Sequence, residues 1–168
     1  MRLTKKTLVV VVLLSLVLAG VASGQGSIHQ RLHNFVALVY ESYATESFGE
    51  VYEVMHPSIQ GTLSKDEYVT FQEHHFERLR LEISEIEVGK VSTNPRIPSP
   101  LRTLLPLDLK HELYGVDLSY RAHFVSGIRL NQSISKTVYV AVASPGTTEE
   151  SMYLLWDPSS IEEEEQEQ

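Results

Sequence analysis

Residues 116–124 read "VDLSYRAHF", and this stretch decides the fold class of the chain. Its apolar and polar residues alternate, which is the period of a β-strand with one buried and one solvated face. The polar face carries charged side chains, so the opposite face is the one that covers a core. That face comprises Val116, Leu118, Tyr120, Ala122 and Phe124.

Three further strands are predicted around this one. Residues 79–88 alternate with one slip in phase, so we expect a β-bulge near Ser84 or Glu85 that bends the strand. Apolar runs separated by turn residues predict the other two strands. They are residues 134–143 after Ser126-Gly127, and residues 152–156 after Pro145-Gly146.

Three helices are predicted before the first strand. Residues 29–45 repeat apolar side chains at helical spacing, and residues 48–56 form a second helix that ends where a proline follows. Ser64 and Glu67 have the spacing of a capping box, so a third helix spans residues 65–78. This order indicates an α+β fold, in which the helices cover one face of a curved, mostly antiparallel four-stranded sheet.

The first residues of the chain are typical of a secretory signal. Three cations precede an apolar run at residues 8–22 that ends in small residues, so we expect a signal peptide at 1–24. The run is short for a bilayer span, which leaves an uncleaved anchor as the alternative. Lipid anchoring through a cysteine is excluded because the chain contains none. The three cations are Arg2, Lys5 and Lys6.

The net charge and the absence of cysteine restrict where the protein is expected to act and which partners it is expected to bind. The formal charge is −8 and no basic patch is present, which argues against nucleic acid as a partner. An exported chain without cysteine relies on its core instead of disulfides. We therefore expect a secreted or extracytoplasmic domain at residues 28–161, with residues 162–168 as a disordered acidic tail.

Three segments together resemble a known family. They are "YESYATESFGEVYEVM" at 40–55, "LSKDEYVTF" at 63–71 and "WDPSSI" at 156–161. They are similar to the nuclear-transport-factor-2-like N-terminal domain of low-affinity penicillin-binding proteins of the methicillin-resistance type. The resemblance implies a conical α+β fold outside the cell membrane.

The sequence departs from that family at two points. Met152 stands where the family usually has a second tryptophan, and Glu162 stands where the family continues through Phe-Pro into its later domains. The resemblance therefore implies no penicillin-binding activity. The Asp157-Pro158-Ser159 segment also has a purely local interpretation, as a turn that caps the last strand through its own side chains.

Motifs that suggest catalysis or metal binding are weak in this chain. Ser133 and Lys136 spell the Ser-x-x-Lys of penicillin-reactive enzymes, but they fall at a predicted strand and lack the partner motifs. Two histidine pairs have spacings that are compatible with binding a metal ion. Neither pair is accompanied by a cysteine or an HExxH pattern that would complete such a site. We predict no catalytic residue, no cofactor and no metal. The pairs are His29 with His33, and His74 with His75.

The face expected to line the interior of the cone is apolar and aromatic. It contains no carboxylate or histidine, so it offers no general base. Binding of a small molecule inside the cone, with or without catalysis, is the alternative function. The residues expected to line such a pocket are Tyr40, Tyr43, Tyr120, Phe124 and Trp156.

The leading interpretation is a non-catalytic binding or accessory domain at the cell envelope. A proline-rich excursion at residues 93–109, either a lid or a contact surface, would provide the partner surface together with the cone mouth. The expected partner is an envelope protein or a wall component, and a homodimer through the sheet face is a further hypothesis. The expected surface residues are Arg96, Ile97, Leu101, Leu104 and Leu105.

Overall fold

The computed structural model describes residues 26–106, 111–126, 128–159 and 161. The expected signal peptide and acidic tail lie outside the described residues. Within the described ranges, nine helices and strands follow one another. They are α1 (Ile28–Ala44), α2 (Phe48–Glu53), α3 (Pro57–Gln60), α4 (Lys65–Leu79), β1 (Glu82–Thr93), α5 (Ser99–Leu104), β2 (Glu112–Ser126), β3 (Ile128–Ala143) and β4 (Ser151–Leu155).

The α+β architecture is confirmed. The four strands form one antiparallel sheet in the order β1-β2-β3-β4. Helix α1 lies against β1 and contacts β2, so its apolar stripe covers one face of the sheet. None of the described helices is both long and apolar enough to cross a membrane.

Local chemistry explains where the two long helices begin. In α1, the Ser27 hydroxyl accepts a hydrogen bond from the Gln30 N–H at 3.3 Å. In α4, the predicted capping box is present: Ser64 Oγ accepts from the Glu67 N–H, and the Glu67 carboxylate accepts from the Ser64 N–H. Each cap satisfies amide groups that the helix itself leaves unpaired.

The short helix α3 was not predicted. Helix α2 ends at Glu53, three residues before its predicted end. Pro57 occupies the first turn of a new helix, where a missing N–H costs nothing. His56 caps this helix, since its Nδ1 accepts a hydrogen bond from the Ser58 N–H at 3.2 Å. The described residues therefore contain a fourth helix ahead of the sheet, where three were expected.

The sheet confirms the predicted bulge in β1. The register shifts between Ser84 and Glu87, and Glu85 has a φ of 49°. A second shift between Val88 and Val91 was not predicted. Both irregularities lie in the strand against which α1 packs, where they bend the sheet edge.

One face of the sheet, the inner face, carries the predicted core residues. Val116 pairs with Val138, and Val140 pairs with Leu154, so the phase predicted for β3 is correct. These four side chains are at most 5% exposed. They join one buried cluster with Leu32 and Val36 of α1, among others.

The opposite, outer face is buried at one end, which the sequence did not predict. Ala141 and Leu155 are 0% and 5% exposed, and both share a cluster with Leu101 of α5. Gly115 also points to this face, and a Cβ built on it lies 3.2 Å from the Cβ of Pro95. The proline-rich excursion therefore approaches the outer face of the sheet where Pro95 lies against Gly115, and its Leu101 belongs to the buried cluster.

Replacing Gly115 by alanine tests this close approach. The new Cβ would meet Ser92 Oγ at 2.9 Å and Thr137 Cγ2 at 3.0 Å, so Gly115→Ala should destabilise the fold by about 1–3 kcal/mol. Gly61→Ala is the control, because Gly61 has helical dihedrals and its nearest neighbours lie at 3.5 Å or more. Urea unfolding measures both variants, and equal stability of the two would contradict the packing of the excursion.

Candidate functional site

Three of the expected pocket-lining residues meet in one aromatic cluster. Tyr40 and Tyr43 project from α1, and Tyr120 projects from the inner face of β2. The Tyr40 ring lies 5.3 Å from that of Tyr43 and 5.7 Å from that of Tyr120. Tyr40 and Tyr43 are 6% and 8% exposed. They pack as core residues between helix and sheet, because their rings occupy the space that a pocket would need.

A buried hydrogen bond joins two of the tyrosines of this region. The hydroxyl oxygens of Tyr43 and Tyr68 lie 2.6 Å apart. Burial and the neighbouring phenol raise the pKa of Tyr43 well above its ordinary value, and burial raises that of Tyr68 as well. Both phenols therefore stay protonated at physiological pH and serve as hydrogen-bonding groups and not as bases.

Lys136 reaches the same cluster, which the sequence interpretation missed. Its ammonium nitrogen lies 5.1 Å from the ring centre of Tyr40 and 5.8 Å from that of Tyr120. Although much of the residue is exposed, desolvation around the ammonium lowers its pKa. Lys136 pairs with Leu118 on the inner face, two positions from Val138, so alternation alone could have placed it there.

The same alternation separates the two members of the Ser-x-x-Lys motif. Ser133 pairs with Arg121, whereas Lys136 pairs with Leu118, so they lie on opposite faces of the sheet. A serine nucleophile and its lysine base must be within hydrogen-bond reach. This pair therefore cannot act as one in penicillin-type chemistry.

One carboxylate reaches the inner face, because β2 begins four residues earlier than predicted. Glu112 pairs with Val142 and accepts a hydrogen bond from the Tyr114 hydroxyl. Burial and this carboxylate raise the pKa of Tyr114 to about 12. Glu112 itself is exposed at the end of the strand, away from the tyrosine cluster.

The other two expected pocket residues lie apart from each other. Trp156 packs edge-on against Tyr68, with ring centres 5.1 Å apart, and closes the core at the end of β4. Phe124 pairs with Leu130 near the far end of the β2–β3 hairpin, where Leu130 is 46% exposed. After Trp156, the predicted turn is present: Asp157 Oδ1 accepts from both the N–H and the hydroxyl of Ser159.

The histidine pairs named from the sequence lie on α1 and α4. Within the described residues, no group of three or more His, Cys, Asp or Glu side chains could hold a metal ion. A different pair is close: His56 Nε2 lies 3.1 Å from His111 Nδ1. Because the His56 Nδ1 accepts from Ser58, its Nε2 carries the proton and donates to His111. Burial and His111 lower the pKa of His56, which keeps this capping histidine neutral.

The largest described cavity, of about 970 Å³, lies outside the aromatic cluster, between α1, α2 and the β3–β4 turn with β4. Its floor is apolar, and we call it the apolar groove. None of the five expected pocket residues lines it. The floor consists of Phe35, Leu38, Val39, Val51, Val54, Met152 and Tyr153.

The apolar groove continues into an acidic trough. This second cavity, of about 830 Å³, shares Glu50 and Glu53 with the groove and extends between α2 and α4. Five carboxylates and one ammonium line it, which makes the local charge strongly negative. They are Glu46, Glu50, Glu53, Asp66, Glu73 and Lys65. A third cavity, of about 480 Å³, lies across β1, β2 and β3 beside Asp117 and Thr137.

An ion pair closes the other end of the apolar groove. Arg31 Nε and Nη2 each donate to a carboxylate oxygen of Glu150 at 2.8 Å, and the Gly146 N–H donates to the same carboxylate at 2.7 Å. Burial raises the pKa of Glu150, but the bonds from Arg31 and Gly146 outweigh this and lower it overall. The pair thus neutralises the groove at this end and ties α1 to the β3–β4 turn.

The expected partner surface is only partly available. Leu101 is 6% exposed, and Ile97, Leu104 and Leu105 are half-buried against the core. Arg96 is exposed. Leu101, Leu104 and Leu105 thus pack against the hydrophobic core.

Comparison with known proteins adds no relative. The chain matches no protein-family model, and no curated protein matches it. The resemblance to the N-terminal domain of penicillin-binding proteins therefore stays a prediction from the three sequence segments.

Removal of one phenol tests the role of the buried tyrosine pair. Tyr43→Phe should destabilise the fold by about 1–2 kcal/mol, because it leaves the Tyr68 hydroxyl, which is 0% exposed, without its partner. Tyr68→Phe should cost a similar amount, and the double variant should cost less than the sum. Denaturant unfolding of all three completes a double-mutant cycle, and strict additivity would contradict the coupling.

Stability at acidic pH tests the Arg31–Glu150 pair. A carboxyl whose pKa is lower in the folded state stabilises the fold above its unfolded pKa of about 4.3, and this contribution is lost as pH falls through the folded value. Glu150→Gln should therefore cost about 2 kcal/mol at pH 7, and the difference from the parent should shrink below pH 4. Glu149→Gln, at the exposed neighbouring position, is the control. A difference that stays constant with pH would contradict this assignment.

Proposed function

We propose that this chain is a non-catalytic binding domain of the nuclear-transport-factor-2-like class, exported and acting at the cell envelope on a protein or wall component. The observation that carries the proposal is the apolar groove of about 970 Å³ between α1, α2 and β4. Exposed apolar concavities of this size mark binding sites more often than plain surface.

The order of helices and strands supports the proposed fold class, and the N-terminal sequence supports the proposed export. Helices precede a meander of four antiparallel strands, and α1 lies across the sheet, as the resemblance implies. The cationic start and the apolar run at residues 8–22 favour export. The lack of cysteine suits a domain whose stability comes from its core.

The filling of the interior favours binding over catalysis. Tyr40, Tyr43 and Tyr68 are all less than 9% exposed and occupy the region between the helices and the sheet. Their phenols are protonated, and the nearby Lys136 contacts aromatic rings instead of a carboxylate. A substrate would have to displace these side chains, whereas the groove is already open.

The proposed binding surface differs from the one expected from the sequence. Leu101, Leu104 and Leu105 are buried or half-buried against the core, so the groove replaces them as the leading surface. The region around the exposed Arg96 remains the competing surface, and the outer face of the sheet remains a proposal for a homodimer.

A charge placed in the groove tests the proposal. Leu38 lines the groove but is not among the side chains packed against the core, so Leu38→Glu should leave the fold intact and block the surface. Chemical cross-linking of the full chain in its own envelope fraction, followed by affinity capture, measures partner recovery. We expect a loss of at least about tenfold, since burying an unpaired carboxylate costs more than 1.4 kcal/mol.

Two further variants distinguish binding in the groove from a general effect of added charge and from binding at the competing surface. His29→Glu adds the same charge to an exposed position of α1 outside the groove and should leave recovery unchanged. Arg96→Glu alters the competing surface. Loss of the partner with Arg96→Glu, but not with Leu38→Glu, would move the binding site to the excursion and refute the groove.

A further inference from the structure

The edge of the sheet beside the groove is already covered, which constrains what can bind there. The Leu154 N–H donates to Val54 O at 2.7 Å, and the His56 N–H donates to Leu154 O at 3.0 Å. A peptide that binds as an added strand needs free backbone groups at a sheet edge. At Leu154 those groups are taken, so a peptide cannot add as a strand at this position of β4.

The dimensions of the groove suit a helix. Its wall on α1 runs from Arg31 to Thr45 through Phe35, Leu38 and Ser42, which is one straight stripe at helical spacing. Fourteen residues of helix correspond to about 21 Å. A second helix of about four turns lying along this wall would present its apolar stripe to the groove floor.

The charge around the groove is unequal at its two ends. At the Arg31 end, the ion pair with Glu150 leaves no net charge. At the α2 end, the groove opens into the acidic trough, whose only lysine, Lys65, already bonds Glu53 at 2.6 Å. Most of the negative charge in the trough is thus left uncompensated by the residues that line it.

We infer that the apolar groove binds an amphipathic helix of a partner protein, with apolar side chains along one stripe and lysine or arginine residues at the end that lies over the acidic trough. This inference rests on the proposed function and names the chemistry of its partner. Helix-in-groove recognition uses apolar anchors at i, i+3 or i+4, and i+7. Complementary charge at one end would fix the direction in which the helix lies.

The test uses a fluorescein-labelled 16-residue helical peptide with leucines at those spacings and three lysines at one end. Fluorescence anisotropy measures its binding to the full chain at low and at moderate salt. We expect binding that weakens with salt, because exposed charges are screened over about 10 Å at 0.1 M. Replacing the lysines by glutamate, or the leucines by serine, should each weaken binding at least about tenfold.

Two pairs of variants that change the net charge by the same amount locate the contact. Glu50→Gln with Glu73→Gln removes two carboxylates of the trough and should weaken the lysine peptide about fivefold to tenfold while reducing its salt dependence. Glu77→Gln with Glu82→Gln removes the same charge from exposed positions outside the three cavities and should have no effect. Circular dichroism verifies that all variants are folded.

Several outcomes would overturn the inference. Equal binding of the glutamate peptide, or equal weakening by both pairs of variants, would show that the acidic trough does not bind the basic end of the helix. Binding that appears only after residues 1–25 are cleaved would assign the groove to the chain's own N-terminal segment, which also combines cations with apolar residues. A dimer that Leu38→Glu abolishes would assign the groove to a second copy.

The two proposals fail in distinguishable ways. If the peptide does not bind while capture of the envelope partner still depends on Leu38, the groove binds a partner of different chemistry. In that case only the inference of an amphipathic helix is disproved. If capture is insensitive to Leu38→Glu and the peptide does not bind, the proposed function of the groove falls as well.

Discussion

The packing of α1 across the inner face of the sheet is the interaction on which the rest of the structure depends. The helix buries Leu32, Val36 and Val39 against the sheet core and places Tyr43 where its hydroxyl meets that of Tyr68 from α4. A buried phenol needs a partner, because desolvation without one costs about 1–3 kcal/mol. The hydrogen bond therefore fixes the position of α1 relative to α4 while the aromatic rings fill the space between them.

Filling that space changes where the molecule can bind. An interior lined with protonated phenols leaves little room for a ligand, and the accessible concave surface lies on the neighbouring side of α1. One face of α1 therefore closes the core, and the neighbouring face forms the wall of the apolar groove. The Arg31–Glu150 pair holds the β3–β4 turn against the start of this helix, so the groove keeps its shape only while the core packing is intact.

Much of the fold follows from local patterns in the sequence, and the failures have identifiable physical causes. Ser64 with Glu67, the bulge beside Glu85 and the phase of β3 were predictable, because capping and alternation involve residues close in the chain. The burial of Leu101 was not, since it depends on a long-range approach to the outer face at Gly115. Glu112 was missed because β2 begins before its apolar run, whereas Lys136 lies inside the predicted third strand, where alternation from Val138 already places it on the inner face. The candidate site could not be predicted at all, because α1, α2 and β4 meet there only after folding.

The covered edge of β4 links the stability of the fold to its mode of recognition. An exposed sheet edge is a template for pairing with other chains, and proteins protect such edges with short segments of their own backbone. Here the backbone at 54–56 does so, and His56, which donates one of these bonds, is also the cap of α3 and the donor to His111. A single residue therefore connects edge protection, the start of a helix and the end of the excursion. Strand addition is blocked at Leu154, next to the groove, and the acidic trough beyond α2 is the feature that gives the groove a direction.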